Sequence, residues 1–281
     1  MTRARLFIIA AGVACFACFA RGDDGIGIPR VPFSGIYGAT AGAGSLTGWD
    51  RLGGDNPAAL MAAGAPGWTA SAAGYAPFGL DGARMTEVES ARDAGRWGAS
   101  LGVRALTGED VGGASFVRAR LAARLARGFV AGGTLRVDFA PESGEGFGSG
   151  NITAGMGAGV IWRPAPFAAV GMAWEDGTVG VGVDGGTRLG GAGGIAWRVT
   201  AERMFGEIEE YRFGFGLRLH ALLSVHAGWA PERETASLGV RFGAGAWEGF
   251  SALRRHAALG GTSIQGVRWT RATDGKGVAE N

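Results

Sequence analysis

The residues able to do chemistry are few in kind: three histidines (His220, His226, His256), an acidic run "EIEE" at 207 to 210, glycine doublets in "GGAGG" at 190 to 194, and many arginines. His220 and His226 lie on alternating segments with no cysteine or paired acid at ligand spacing, so they read as polar surface or lumen residues, not as a metal site. No Gly-x-Ser-x-Gly nucleophile elbow occurs, and "GGAGG" lacks the strand-to-helix setting of a phosphate loop. It suits strand bends instead. Both cysteines, Cys15 and Cys18, fall inside an N-terminal apolar run, so the exported chain would have no thiol chemistry. No enzyme, cofactor or metal is expected. The net charge of +2 is too small for a nucleic-acid binder.

The arginines carry more information, because of where they fall. Arg96, Arg104, Arg198, Arg212, Arg218 and Arg241 alternate with apolar residues. In "EYRFGFGLRL", Tyr211, Phe213, Phe215, Leu217 and Leu219 take one face, and Arg212, Gly214, Gly216 and Arg218 take the other. "RWGASLGVRAL" sets Trp97, Leu101 and Val103 against Arg96, Gly98, Gly102 and Arg104, and "LLSVHAGWA" repeats the pattern. A period of two is the mark of a strand. Further alternating segments begin near Trp68, Met85, Phe116, Phe129, Ile152, Ala168, Thr178, Ile195, Leu238, Trp247 and Ser263, with turn material between them. Residues 67–272 therefore hold about fourteen strands at roughly fifteen residues per strand and turn.

One face of these strands is apolar and carries aromatics near its ends: Trp97, Trp162, Trp174, Trp197, Tyr211, Trp229 and Trp269. The other is glycine, serine and arginine, where many soluble sheets show Lys, Glu and Thr. Aromatic strand ends suit the two interfaces of a membrane, and arginine is costly against lipid, so the arginine face points into a lumen. There the arginines either attract anionic solutes or pair with acids such as Asp138, Glu175 and Glu202; the near-equal number of acids favours pairing. The N-terminus, "MTRAR" followed by "LFIIAAGVACFACFA", has the layout of a signal peptide over 1–20. The expected fold is all-β: a transmembrane antiparallel β-barrel of about 14 strands in the outer membrane of a Gram-negative-type bacterium. Its surroundings would be outer-membrane lipid and, during biogenesis, the barrel assembly machinery.

Residues 21–66 stand apart from the strands. In "GGDNPAALMAAG", Asp55 or Asn56 can cap a short helix, Pro57 suits its first position, Ala58 and Leu60 continue it, and Gly64 ends it. This Asn-Pro-Ala segment, Asn56 to Leu60, resembles the N-terminal signature of the FadL-type outer-membrane transporter superfamily, including its PorV/PorQ-type relatives. The C-terminal stretches His226–Trp229, Ser237–Val240 and His256, Leu259, Gly260 and Thr262 resemble the last hairpins of the PorV-type branch. The resemblance implies that 21–66 folds inward as a hatch. In the FadL-type branch the hatch gates small hydrophobic or amphipathic compounds; in the PorV-type branch the barrel receives exported proteins in a type IX-like secretion system and passes no solute. Such barrels commonly end on an aromatic residue, so with the polar tail 273–281 in place Trp269 would serve from an internal position.

Overall fold

The computed structural model describes residues 36–62, 66–76, 82–107, 114–141, 150–189, 195–206 and 209–272. The expected signal peptide and the polar tail lie outside these residues. Fourteen strands form one closed antiparallel barrel. They are β1 (Gly67–Tyr75), β2 (Arg84–Asp93), β3 (Trp97–Thr107), β4 (Ala114–Ala126), β5 (Phe129–Pro141), β6 (Gly150–Ala165) and β7 (Ala168–Glu175). The ring continues through β8 (Thr178–Leu189), β9 (Ile195–Phe205), β10 (Glu210–His220), β11 (Leu223–Ala230), β12 (Thr235–Ala244), β13 (Trp247–His256) and β14 (Gly260–Ala272). Each strand pairs with its sequence neighbour, and β1 closes the ring on β14, with Gly67 opposite Ala272 and Tyr75 opposite Ile264. Closure leaves no strand edge unpaired.

The two ends of the barrel differ. At one end the connections are short, as at 94–96, 127–128, 166–167, 221–222 and 245–246; at the other, 76–83, 108–113 and 142–149 are longer. The outer wall is apolar, with Leu101, Leu121, Leu135, Met172, Val183, Phe215 and Leu238 exposed. Aromatic rings mark both rims. Trp68, Trp97, Trp162, Trp197, Trp247 and Trp269 stand at the short-turn end, and Trp174, Tyr211 and Trp229 at the long-loop end. Trp229 stacks on Phe213 with centroids 5.8 Å apart. This double girdle around an apolar band is the pattern of a membrane-spanning barrel.

The polarity reverses over one sector. Across β13, β14, β1 and β2 the outer face carries Ser251, Gln265, Gly74 and Thr86 in register, one beside the next. The inner face there is apolar: Ala73, Tyr75, Met85, Phe250, Ala252 and Ile264 pack together on Ala39.

Residues 36–62 fold inside the barrel as an inner segment with little regular structure. It has one helical turn, α1 (Ile36–Ala39), a series of tight turns, and a second helical turn, α2 (Ala59–Ala62). From Tyr37 to Met61 every side chain is buried except that of Asp55, which is half-buried. Asn56 is the cap of α2: its Oδ1 accepts from Ala58 N at 3.0 Å. Asp55, the other candidate, instead faces Arg212 of the wall.

Candidate functional site

A buried chain without regular structure must satisfy its backbone N–H and C=O groups by other means. Here the barrel wall supplies the partners. Leu46 N donates to Glu202 Oε1 at 2.8 Å and Gly53 N to Glu89 Oε2 at 2.8 Å. Arg163 donates to the carbonyls of Thr47 and Gly48 at 3.0 and 2.9 Å, and Arg120 to those of Gly54 and Arg51 at 3.2 Å each. Arg254 reaches the Tyr37 carbonyl at 3.2 Å, and the Ser237 hydroxyl donates to the Ala39 carbonyl at 2.9 Å. Asn56 Nδ2 donates to the Val160 and Met172 carbonyls at 3.0 and 3.2 Å, tying α2 to β6 and β7.

Ion pairs reinforce the seat. Arg51 meets Asp93 at 3.1 Å, Asp55 meets Arg212 at 2.8 Å, and Asp50 pairs with Arg268. Around them the wall carries its own buried network: Glu87 with Arg104 at 2.7 Å, and Glu89 with Arg120 and Arg118. Arg136 gathers Asp138, Glu175 and Asp176. Most lumen arginines thus bind acids or carbonyls of the inner segment.

Glycines of the wall provide the room. The inner segment approaches so closely that a Cβ at Gly171 would stand 2.6 Å from the Leu46 carbonyl carbon, and one at Gly228 would stand 2.5 Å from Thr40 Cα. Among other wall glycines, Gly98 faces Met61, Gly159 faces Asn56, and Gly180 and Gly182 face Leu46. Gly102, Gly155 and Gly157 face other wall residues instead.

The arginines singled out by alternation divide into three groups. Arg104 and Arg212 are buried in the lumen, each against an acid. Arg198, Arg218 and Arg241 line a cavity at the short-turn end. Arg96 departs from the expectation: it lies exposed in the turn 94–96, because the chain reverses at Gly95 (φ +85°) and β3 begins only at Trp97. The histidines are separate. His256 Nδ1 accepts from Ala258 N and Leu259 N at 3.1 Å each, His220 Nδ1 accepts from Leu222 N at 3.3 Å, and His226 Nε2 bonds Ser224 Oγ at 2.9 Å. Sequence reading passed over Trp49, Asp50, Arg51, Glu87, Glu89, Asp93, Arg163, Arg254 and Arg268. For the acids of β2 a signal existed: "EVESARD" places Glu87, Glu89 and Asp93 all on one face at period two.

The Asp50 latch is sensitive to acid. Burial alone would raise its carboxyl, but the adjacent Arg268 and the farther Arg241 outweigh this, and the group is held below its ordinary value. A folded value below the unfolded one means the latch contributes stability above about pH 4 and loses it as pH falls through the lower, folded value. Hydrogen-exchange protection of residues 36–62, taken relative to the intrinsic rate at each pH, is expected to fall below about pH 4, and Asp50→Asn should remove part of that pH dependence.

No family model matches the chain, and none of the curated proteins does. Solved structures do. The P. putida toluene transporter TodX superposes with a TM-score of 0.51 at 9% identity, covering 79% of this chain and 95% of its own. The deltaS2 mutant of the TodX monoaromatic hydrocarbon channel gives 0.54 at 9% identity, over 88% of this chain and all (100%) of the other. The fold is that of the TodX-type barrels. The Acinetobacter baumannii outer membrane protein Omp33 superposes equally well, with a TM-score of 0.54 at 10% identity over 74% of this chain and 99% of that one. At these identities the likeness is one of fold, in line with the FadL-type architecture implied by the Asn-Pro-Ala segment.

Proposed function

We propose that the chain is an outer-membrane conduit for small hydrophobic or amphipathic compounds, closed in this conformation by residues 36–62 acting as a hatch. The observation that carries the reading is the nature of the seat. The hatch lies in the lumen, where Leu52, Leu60 and Met61 pack on Ala91, Ala122, Val130 and Ile161, and the rest of its seat is made by hydrogen bonds, ion pairs and contacts with wall glycines. The polar contacts, spread around the wall, can be exchanged for water when the hatch moves, which leaves the apolar contact at α2 as the part that opposes release. The short-turn end, where both barrel termini lie, then faces the periplasm. TodX, which shares the fold, is described as a hydrocarbon channel and toluene transporter, and that description supports the substrate class.

The secretion-accessory reading rests on the C-terminal motifs alone. His256 and Leu259 are engaged in closing their own turn, so no exported partner is needed to account for them.

A reversible lock tests the conduit. Ala43 Cβ lies 3.0 Å from where a Cβ at Gly214 would stand, so a small outward shift brings the pair into the disulfide range of about 3.5–4.5 Å. Ala43→Cys with Gly214→Cys is expected to stop uptake of a labelled aromatic compound into lipopolysaccharide-coated proteoliposomes when oxidised. Reduction should restore it. Equal uptake in both states, or none in either, would overturn the reading.

A further inference from the structure

The outer wall is apolar, yet two arginines stand on it with a tryptophan between them. Arg271 on β14, Trp68 on β1 and Arg92 on β2 are in register, and all three face outward. They lie at the short-turn end, in the sector where small and polar residues replace large apolar ones. Arg92 rests over the Trp68 ring at 5.3 Å. Neither arginine has an acidic partner among the described residues: Asp93, next to Arg92, points inward and is held by Arg51 at 3.1 Å. At the opposite rim the outward Arg203 is answered by Glu209 at 2.5 Å. The foot of this sector therefore carries two unanswered positive charges, on strands about 10 Å apart.

Beyond these three residues the outer face of β1 forms a furrow. Its floor is Ala70, Ala72 and Gly74, side chains too small to stand level with their neighbours. Ala72 lies between Val267 of β14 and Val88 of β2, and Ala70 has Trp269 beside it. The stretch from Trp68 to Gly74 runs about 20 Å along the strand. At a strand tilt of about 40° it covers about 15 Å of depth, half of the hydrocarbon core of a bilayer. Charges at headgroup level and a furrow one leaflet deep thus lie end to end.

We propose that this furrow binds an anionic phospholipid, its phosphodiester between Arg92 and Arg271 at the level of Trp68 and one acyl chain along Ala70, Ala72 and Gly74. Guanidinium groups hold phosphate oxygens by paired, charge-assisted hydrogen bonds, and tryptophan rings sit at the headgroup level of a bilayer. A zwitterionic headgroup brings its own ammonium, which the two arginines repel, so net charge selects the lipid. Free phosphate would match the arginines and leave the furrow empty. The site lies on the outside of the barrel, so it stands or falls independently of passage through the lumen.

The test uses the full chain in detergent, with native mass spectrometry counting the lipid retained. Dioleoyl phosphatidylglycerol is the probe, dioleoyl phosphatidylethanolamine its zwitterionic counterpart, and inorganic phosphate the competitor without acyl chains. Phosphatidylglycerol is expected to bind at least about tenfold more tightly than phosphatidylethanolamine, since each arginine favours the anionic lipid severalfold. Arg92→Gln with Arg271→Gln should abolish that preference with little change in thermal stability, because neither substitution strands a carboxylate among the described residues. Arg127→Gln with Arg255→Gln, at exposed arginines elsewhere on the two rims, should preserve it. Ala72→Phe fills the furrow from outside and should weaken phosphatidylglycerol about tenfold. Equal binding of the two lipids, an equal loss in the Arg127 and Arg255 control, parent-like binding by Ala72→Phe, or displacement of the lipid by millimolar phosphate would each overturn the proposal.

Discussion

Gly171→Val combined with Gly228→Val is expected to unseat the hatch while the barrel stays closed. Both glycines point inward, one on β7 and one on β11, and both are met by hatch backbone instead of a side chain that could rotate aside. Overpacking costs about 1–3 kcal/mol per site, and backbone cannot yield as a rotamer does. Two such sites act at the β7 and β11 side, away from the apolar contact of α2 with β2 to β4, and oppose polar contacts whose individual net worth is about 1 kcal/mol. A loss of about 3 kcal/mol raises the unseated population more than a hundredfold at 1.4 kcal/mol per tenfold. Protease cleavage within 36–62 should rise accordingly, since cleavage of a transiently open segment tracks its population. Gly185→Val, at a wall position with nothing within 4 Å, should change nothing. Unchanged cleavage in the double variant would mean that the hatch is not held at these two points.

The second large effect is expected at Glu89. This buried carboxylate accepts from Gly53 N of the hatch and pairs with Arg120 and Arg118. Glu89→Ala leaves buried Arg120 without a carboxylate and Arg118 with only Glu87 at 3.9 Å, a loss of about 3–5 kcal/mol when one partner of a buried pair is removed. Heat-modifiable migration on gels should show a markedly lower unfolding temperature. Glu89→Leu with Arg120→Leu should cost less than the sum of its single changes, because each removes the other's uncompensated charge. The exposed Arg203–Glu209 pair should move the transition far less when broken. A Glu89→Ala transition close to the parent's would show that the lumen network does not support the fold.

Much of the barrel was legible because a closed sheet between lipid and a filled lumen imposes one rule on every strand. Trp97, Phe129, Ala168, Thr178, Ile195, Leu223 and Trp247 begin strands where alternation placed them. The sector from β13 to β2 was less legible, since Ser251, Gln265 and Thr86 face outward while Phe250, Ile264 and Met85 face inward, the reverse of the rule. The hatch resisted reading for a different reason. Asn56 and Pro57 announce a cap locally, but nothing near Asp50, Arg51 or Leu46 in the chain indicates Arg268, Asp93 or Glu202 as partners. Those contacts belong to tertiary structure. The cavity at Trp49 is a mixed case: Arg198, Arg218 and Arg241 stood out by alternation, and only the ring geometry gathers them with Arg188.

The hatch also has a mechanical consequence. Its partners lie on β2, β4, β6, β9, β10, β12, β13 and β14, so one short piece of chain is anchored around most of the circumference. It works as a hub with spokes, resisting the flattening that lateral pressure imposes on a hollow ring. All of those spokes are satisfied together only when β1 has met β14, because the closed ring is what holds their anchor points around one short segment. Ring closure and stiffening are therefore separable, and a barrel without its hub would be complete in its sheet hydrogen bonds and still soft in its shape.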